Sequence, residues 1–294
     1  MNMLILLLVP LAVIVAYFLG SFLWRAATDV SSYYYNVLFA GGATLLLAGA
    51  LVATQLMATD ETVFSNRLAI DAMQTFVSLF LLIVLYKKGI WGNVKTQLKE
   101  DRRYITLAAV MFLVGMGTGV VVQEEVRGIV EQSVEDLGQL ADASEGKPWW
   151  QMGIILFGNN TRTAITVGLA IALVPLLGGI YALFAMVLNG AIVGVIGAIV
   201  NKPLSYLVVG IAPHGIFEIP AIIIAAAIGL KVNACIVRGI TETVRKTGDG
   251  PEPLYARLRE AFKSWGLMYL VIILLLVAAV IESTITPYLL DKII

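Results

Sequence analysis

The stretch Ala212-Pro213-His214-Gly215-Ile216-Phe217-Glu218-Ile219-Pro220 holds the one histidine of this 294-residue chain. His214 and Glu218 stand at i and i+4, so a helix sets them on one face. Such a pair can bind an ion, move a proton or anchor a buried hydrogen-bond network. The runs on either side, Leu207 to Ile211 and Ala221 to Ala225, are apolar. A charge at the centre of a bilayer costs about 2.5–3.5 kcal/mol on insertion scales, so an ionisable group there faces the bundle interior and takes a partner. Pro213, Gly215 and Pro220 predict a helix break around the pair.

A second polar stretch, Gly158-Asn159-Asn160-Thr161-Arg162, interrupts another apolar run, and Asn189 lies in the next. Gly158 and the asparagines predict a break there too. Paired interruptions entered from the same side point to a site built from broken helices. Arg162 stands about as far into its run as Glu218 does into its own, so an Arg162–Glu218 contact at matched depth is expected. The expectation is one buried cluster of His214, Glu218, Asn159, Asn160, Arg162 and Asn189. A competing reading lays Trp149 to Phe157 in the interface and leaves Arg162 near the head groups. The two readings are evenly balanced for Arg162.

Other chemistry is poorly supplied. Zinc sites draw on several His, Cys or carboxylate ligands. Here a third strong ligand is missing, unless Glu124-Glu125 folds inward. The single cysteine, Cys235, excludes an internal disulfide and a cysteine metal cluster. The chain contains no G-x-S-x-G, Walker loop or H-E-x-x-H. No catalytic residue, metal or cofactor is expected, and the chain reads as a protein that is not an enzyme.

The elements that must position these groups are membrane helices. Hydrophobic residues make up 59% of the chain and charged residues 14%, with mean hydropathy +0.89. A soluble domain is about half apolar and a quarter charged. The class is therefore all-α and polytopic, with backbone groups satisfied inside helices. A bilayer needs roughly 20 apolar residues per helix. Eight candidates fit: 2–24, 36–58, 69–86, 104–122, 150–176, 177–200, 203–230 and 265–288. The N-terminus has no basic n-region, so 2–24 reads as a retained span.

Lys and Arg gather in 87–103 and 231–263, and acids in 123–148. Basic loops stay in the cytoplasm. The expected location is the cytoplasmic membrane, with the acidic segment and both termini outside. Val126, Ile129, Val130, Val134, Leu137 and Leu140 predict an external amphipathic helix. Val232, Ile236, Ile240 and Val244 predict a helix that continues past the membrane, broken at Gly248-Asp249-Gly250-Pro251. The second segment reads first as an interfacial elbow. Both segments are also candidate surfaces for other membrane or envelope proteins. Net charge is zero, so nucleic acid is not expected as a partner. Gly115/Gly119 and Gly190/Gly194 let helix backbones approach closely, and within one chain rather than between copies.

Three stretches together resemble the stage II sporulation protein M family. They are Leu156-Phe157-Gly158-Asn159-Asn160, Leu188-Asn189-Gly190 and Pro213-His214-Gly215-Ile216-Phe217-Glu218-Ile219-Pro220-Ala221. The resemblance covers about 104–288 and implies a five-helix core, with its N-terminus inside and C-terminus outside. It divides the chain into a three-helix membrane extension with its basic loop, 1–103, and the core, 104–294. It also implies a membrane component without established catalysis. In spore-forming bacteria the family member scaffolds a peptidoglycan-degrading complex. Asn160, Asn189, His214 and Glu218 carry the family motif. Two other functions stay open. One is a transporter or channel for an ion or small solute. The other, ranked third, is an intramembrane hydrolase.

Overall fold

The computed structural model describes residues 63–87, 89–122, 148–170, 175–199, 204–245, 257, 260–261, 263–290 and 292. The expected spans 2–24 and 36–58, the 123–148 helix apart from its last residue, and the break at Gly248 to Pro251 lie outside them.

Every regular element among the described residues is helical. Helix α1 is Val63–Lys87. A 3-10 turn, Ile90–Asn93, leads into the short α2, Val94–Glu100. Helix α3 is Arg102–Val121. Helix α4, Trp149–Ile165, runs into a π-helical turn, Thr166–Ala170. Helix α5 is Leu177–Ile199, α6 is Leu204–Arg245, and α7 is Met268–Leu290 after a 3-10 turn at Trp265–Leu267.

Four of these are long and apolar enough to cross a bilayer, through 102–121, 177–197, 212–245 and 265–289. Of the six expected spans that fall on described residues, these four are clear and two are not. Helix α1 offers only the shorter apolar stretch Ile70–Ile83. Helix α4 falls short because it has 17 residues and carries Asn159, Asn160 and Arg162.

The expected helix breaks are absent. Helix α4 runs through Gly158, and α6 runs through Pro213, Gly215 and Pro220. A proline withdraws one N–H from the helix ladder, and neighbouring helices compensate for that loss inside a membrane. Gly158 serves a different purpose. A Cβ there would collide with the backbone of Asp71, so glycine lets α4 press against α1.

The glycines of α3 and α5 interlock. A Cβ on Gly115 would strike Val187, and one on Gly119 would strike Ala191. A Cβ on Gly190 would strike Phe112, and one on Gly194 would strike Met116. All four collisions are with backbone carbonyls of the facing helix. This is close packing within the chain, as the spacing predicts. The π turn presses likewise on α6, where a Cβ on Gly229 would meet the Val167 carbonyl.

Phe157, Ile165, Ile228, Met268, Ile272 and Leu275 are among the fully buried side chains between α4, α6 and α7. A second apolar cluster, with Ala108, Phe112, Met186 and Ala226, joins α3 and α5 to α6. Helix α6 belongs to both and is the axis of the bundle.

Candidate functional site

His214 and Glu218 lie one turn apart on α6, and Glu282 of α7 comes to the same place. One nitrogen of His214 and one carboxylate oxygen from each glutamate all fall within 4.8 Å of one another. Lys231, at the basic end of the bundle, is 13 residues from Glu218 along α6. At 1.5 Å per residue that is about 20 Å. All three groups lie within the stretches of α6 and α7 that are long and apolar enough to cross a bilayer. His214 Nδ1 is buried and has no hydrogen-bond partner among the described residues. The same holds for Thr286 Oγ1, one turn beyond Glu282 on the same face of α7.

Arg162 does not reach Glu218. The carboxylate beside it is Asp71 of α1, with Nη1 to Oδ1 at 3.4 Å. Its Nη2 donates to Asn159 Oδ1 at 2.8 Å, and Asn159 donates to Asn160 Oδ1 at 3.3 Å. Asp71 is fully buried and heads a polar stripe on α1 that continues through the buried Gln74 and Ser78. Thr75 Oγ1 donates to the Ile154 carbonyl of α4 at 3.3 Å.

The polar residues therefore form two groups rather than one. Helices α4 and α7 are antiparallel: Gly153 lies beside Ser283, and Gly168 beside Met268. Gly153 thus marks the level of Glu282. Asn159 and Arg162 follow six and nine residues later, about 9 and 13 Å further along the axis. Asn189 Nδ2 donates to the Ala185 carbonyl of its own helix at 2.8 Å, and among the described residues no hydrogen bond joins it to either group.

Two acids escaped the sequence reading, and both had a signal. Asp71 follows Ile70, and Glu282 follows Ile281; each is a lone carboxylate inside an apolar run. Such a residue marks a functional or paired position by default. Glu282 also supplies the third strong ligand that the sequence seemed to lack.

A third polar group closes the end that carries both basic segments. Lys231 Nζ meets Asp101 Oδ1 at 2.6 Å, with both side chains buried. Gln97 Nε2 donates to Asp101 Oδ2 at 2.9 Å and to Ser264 Oγ at 3.4 Å. Lys231 is thus a core residue, not a loop cation. Beyond it α6 continues to Arg245, as the pattern of Val232, Ile236, Ile240 and Val244 predicts. Arg257 grips the far part of α6 through both carboxylate oxygens of Glu242, and also meets Glu260. These hydrogen bonds hold its guanidinium above its ordinary pKa.

The comparisons with known proteins concern the stretch that carries these groups. The sequence profile described as stage II sporulation protein M matches residues 108–287. An uncharacterized protein of Methanocaldococcus jannaschii is 38% identical over 109 residues, 37% of this chain and 47% of its own length. A second from the same organism is 36% identical over 112 residues, 37% of this chain and 58% of its own length. The chain thus spans about half the length of the curated relatives it matches. No solved structure matches. The profile takes in α4 to α7 with most of α3, including His214, Glu218, Glu282 and Arg162 but not Asp71. With more than half of its length matched, this chain belongs to the stage II sporulation protein M family.

Proposed function

We propose that this protein is an integral scaffold of the cytoplasmic membrane, an assembly component rather than an enzyme. Both termini are outside, and the basic segments 87–103 and 231–263 are inside. The observation that carries the reading is the reciprocal glycine clamp between α3 and α5. Helices joined backbone to backbone leave little room for the sliding or rocking that alternating access requires. The buried pairs Asp71–Arg162 and Asp101–Lys231 add further ties. Partner proteins of the membrane or envelope would dock on 231–263 and 123–148.

A second reading, an ion transporter, is favoured by one observation. His214, Glu218 and Glu282 converge within the bilayer-length stretches of α6 and α7, and ionisable groups in such stretches commonly line a pathway.

Proteoliposomes separate the two. The scaffold reading expects reconstituted protein to leave proton and cation gradients intact. It also expects Glu218→Gln to assemble with the same membrane partners as wild type, scored by in vivo cross-linking from position 263. Gradient dissipation that vanishes in Glu218→Gln would instead establish transport.

A further inference from the structure

We propose that His214, Glu218 and Glu282 bind one divalent transition-metal ion, of the zinc, manganese or ferrous-iron class, between α6 and α7. The inference is independent of whether the protein is a scaffold or a transporter. It starts from geometry. Ligand atoms held at about 2.1 Å from an ion in tetrahedral array stand about 3.4 Å apart. The three candidate atoms already lie within 4.8 Å of one another. Side-chain adjustments of about an ångström close that gap, and i, i+4 spacing on α6 gives two of the ligands a fixed platform.

Charge makes the same demand. Two ionised carboxylates that share one half-buried site repel each other. Arg162 would neutralise one of them if it were near, but it is engaged with Asp71. Lys231 is engaged with Asp101, about 20 Å away along α6. A dication satisfies both glutamates at once.

The second, independent observation is unmet polar capacity. His214 Nδ1 is buried with no partner, although a buried imidazole nitrogen ordinarily has one. Thr286 is 6% exposed, and its Oγ1 is equally unmet. The antiparallel register that sets Glu282 against Glu218 puts Thr286 level with His214. The site is therefore short of a ligand at its His214 side as well as short of positive charge.

The donor set selects the ion class. Calcium takes six to eight oxygens, and magnesium keeps most of its waters. An imidazole nitrogen beside two carboxylates suits zinc, ferrous iron or manganese. Three protein ligands leave a fourth position open to water or a further group.

The test uses the full chain, purified in detergent, stripped with chelator and desalted. Zinc titrated by calorimetry is expected to bind one ion per chain. Cobalt is expected to give visible d–d absorption bands. Glu218→Gln, Glu282→Gln and His214→Gln should each weaken zinc by at least about tenfold, since loss of a supporting group alone costs that much. Glu242→Gln, at the exposed end of α6, should leave binding unchanged. Thermal unfolding and monodisperse elution show that each variant is folded. A folded wild type that binds no zinc overturns the proposal. So does zinc that survives both His214→Gln and Glu282→Gln, or a site that prefers calcium or magnesium.

Discussion

Arg162 of α4 and Asp71 of α1 stand 3.4 Å apart across 91 positions of sequence. The pair joins α1, which precedes the stretch matched by the family profile, to α4 within it. Asp71 is fully buried, and Arg162 is 17% exposed. Removing one partner of a buried pair costs about 3–5 kcal/mol, while replacing both by apolar groups can be neutral. Arg162→Leu is therefore expected to destabilise by the lower end of that range, given its partial exposure. Asp71→Leu combined with Arg162→Leu should recover most of the loss. Thermal unfolding of the four chains of the cycle in one detergent measures the coupling. Additive single effects would mean that the two side chains do not interact.

The Lys231–Asp101 pair is shorter and drier, so a larger effect is expected there. Lys231→Met removes the cation and leaves the carboxylate with the amide of Gln97. A loss of about 3–5 kcal/mol is expected. Asp101→Asn should be milder than Asp101→Leu, because an amide oxygen still accepts from Lys231. Equal unfolding temperatures for Lys231→Met and wild type would contradict the burial of this pair.

Topology can be checked at described positions. Lys95 belongs to α2 at the basic end, and Lys292 follows the opposite end of α7. Both are exposed, whereas the native Cys235 is buried. Cysteines placed at 95 and 292 should react with a membrane-impermeant maleimide from opposite faces, with 292 accessible from outside. Labelling of both in intact cells would refute the charge-based orientation.

The sequence made some of this legible, for identifiable reasons. Periodicity and apolar length located α3, α5 and α7 to within a few residues, because hydrocarbon demands continuous helical hydrogen bonding, but they overran the end of α4, began α1 late and missed the short α2. The glycine spacing disclosed close packing of helices within the chain, because no larger side chain permits it, but not that α3 and α5 pack on each other. The face shared by His214 and Glu218 followed from helical geometry alone. Partners did not follow. A helical pattern says which residues share a face, not which helix comes opposite. Matched depth therefore suggested Glu218 for Arg162, when α1 offered Asp71. The prolines misled for a related reason: a lost N–H looks like a break in one sequence, yet packed neighbours keep α6 continuous. The π turn at Thr166–Ala170 left no recognised signal at all.

The glycine clamp yields the sharpest contrast between neighbouring positions. Gly119 and Gly190 each face a backbone carbonyl of the opposite helix, at a spacing that leaves no room for a methyl group. Gly117 and Gly197 belong to the same two helices, but a Cβ on either meets nothing within 4 Å. Backbone atoms cannot rotate aside as a flexible side chain can. Alanine at 119 or 190 must therefore push α3 and α5 apart, losing dispersion contacts along the whole interface. Such overpacking costs about 1–3 kcal/mol. Alanine at 117 or 197 meets no obstacle and gains about 0.5–1 kcal/mol of helix preference over glycine. Gly119→Ala and Gly190→Ala should lower the unfolding temperature in detergent, and Gly117→Ala and Gly197→Ala should hold or raise it. Because Gly119 and Gly190 press on the same helix pair, the double variant should lose less than the sum of the two. If all four alanines behave alike, α3 and α5 are not in backbone contact, and the rigidity argued for the scaffold loses its support.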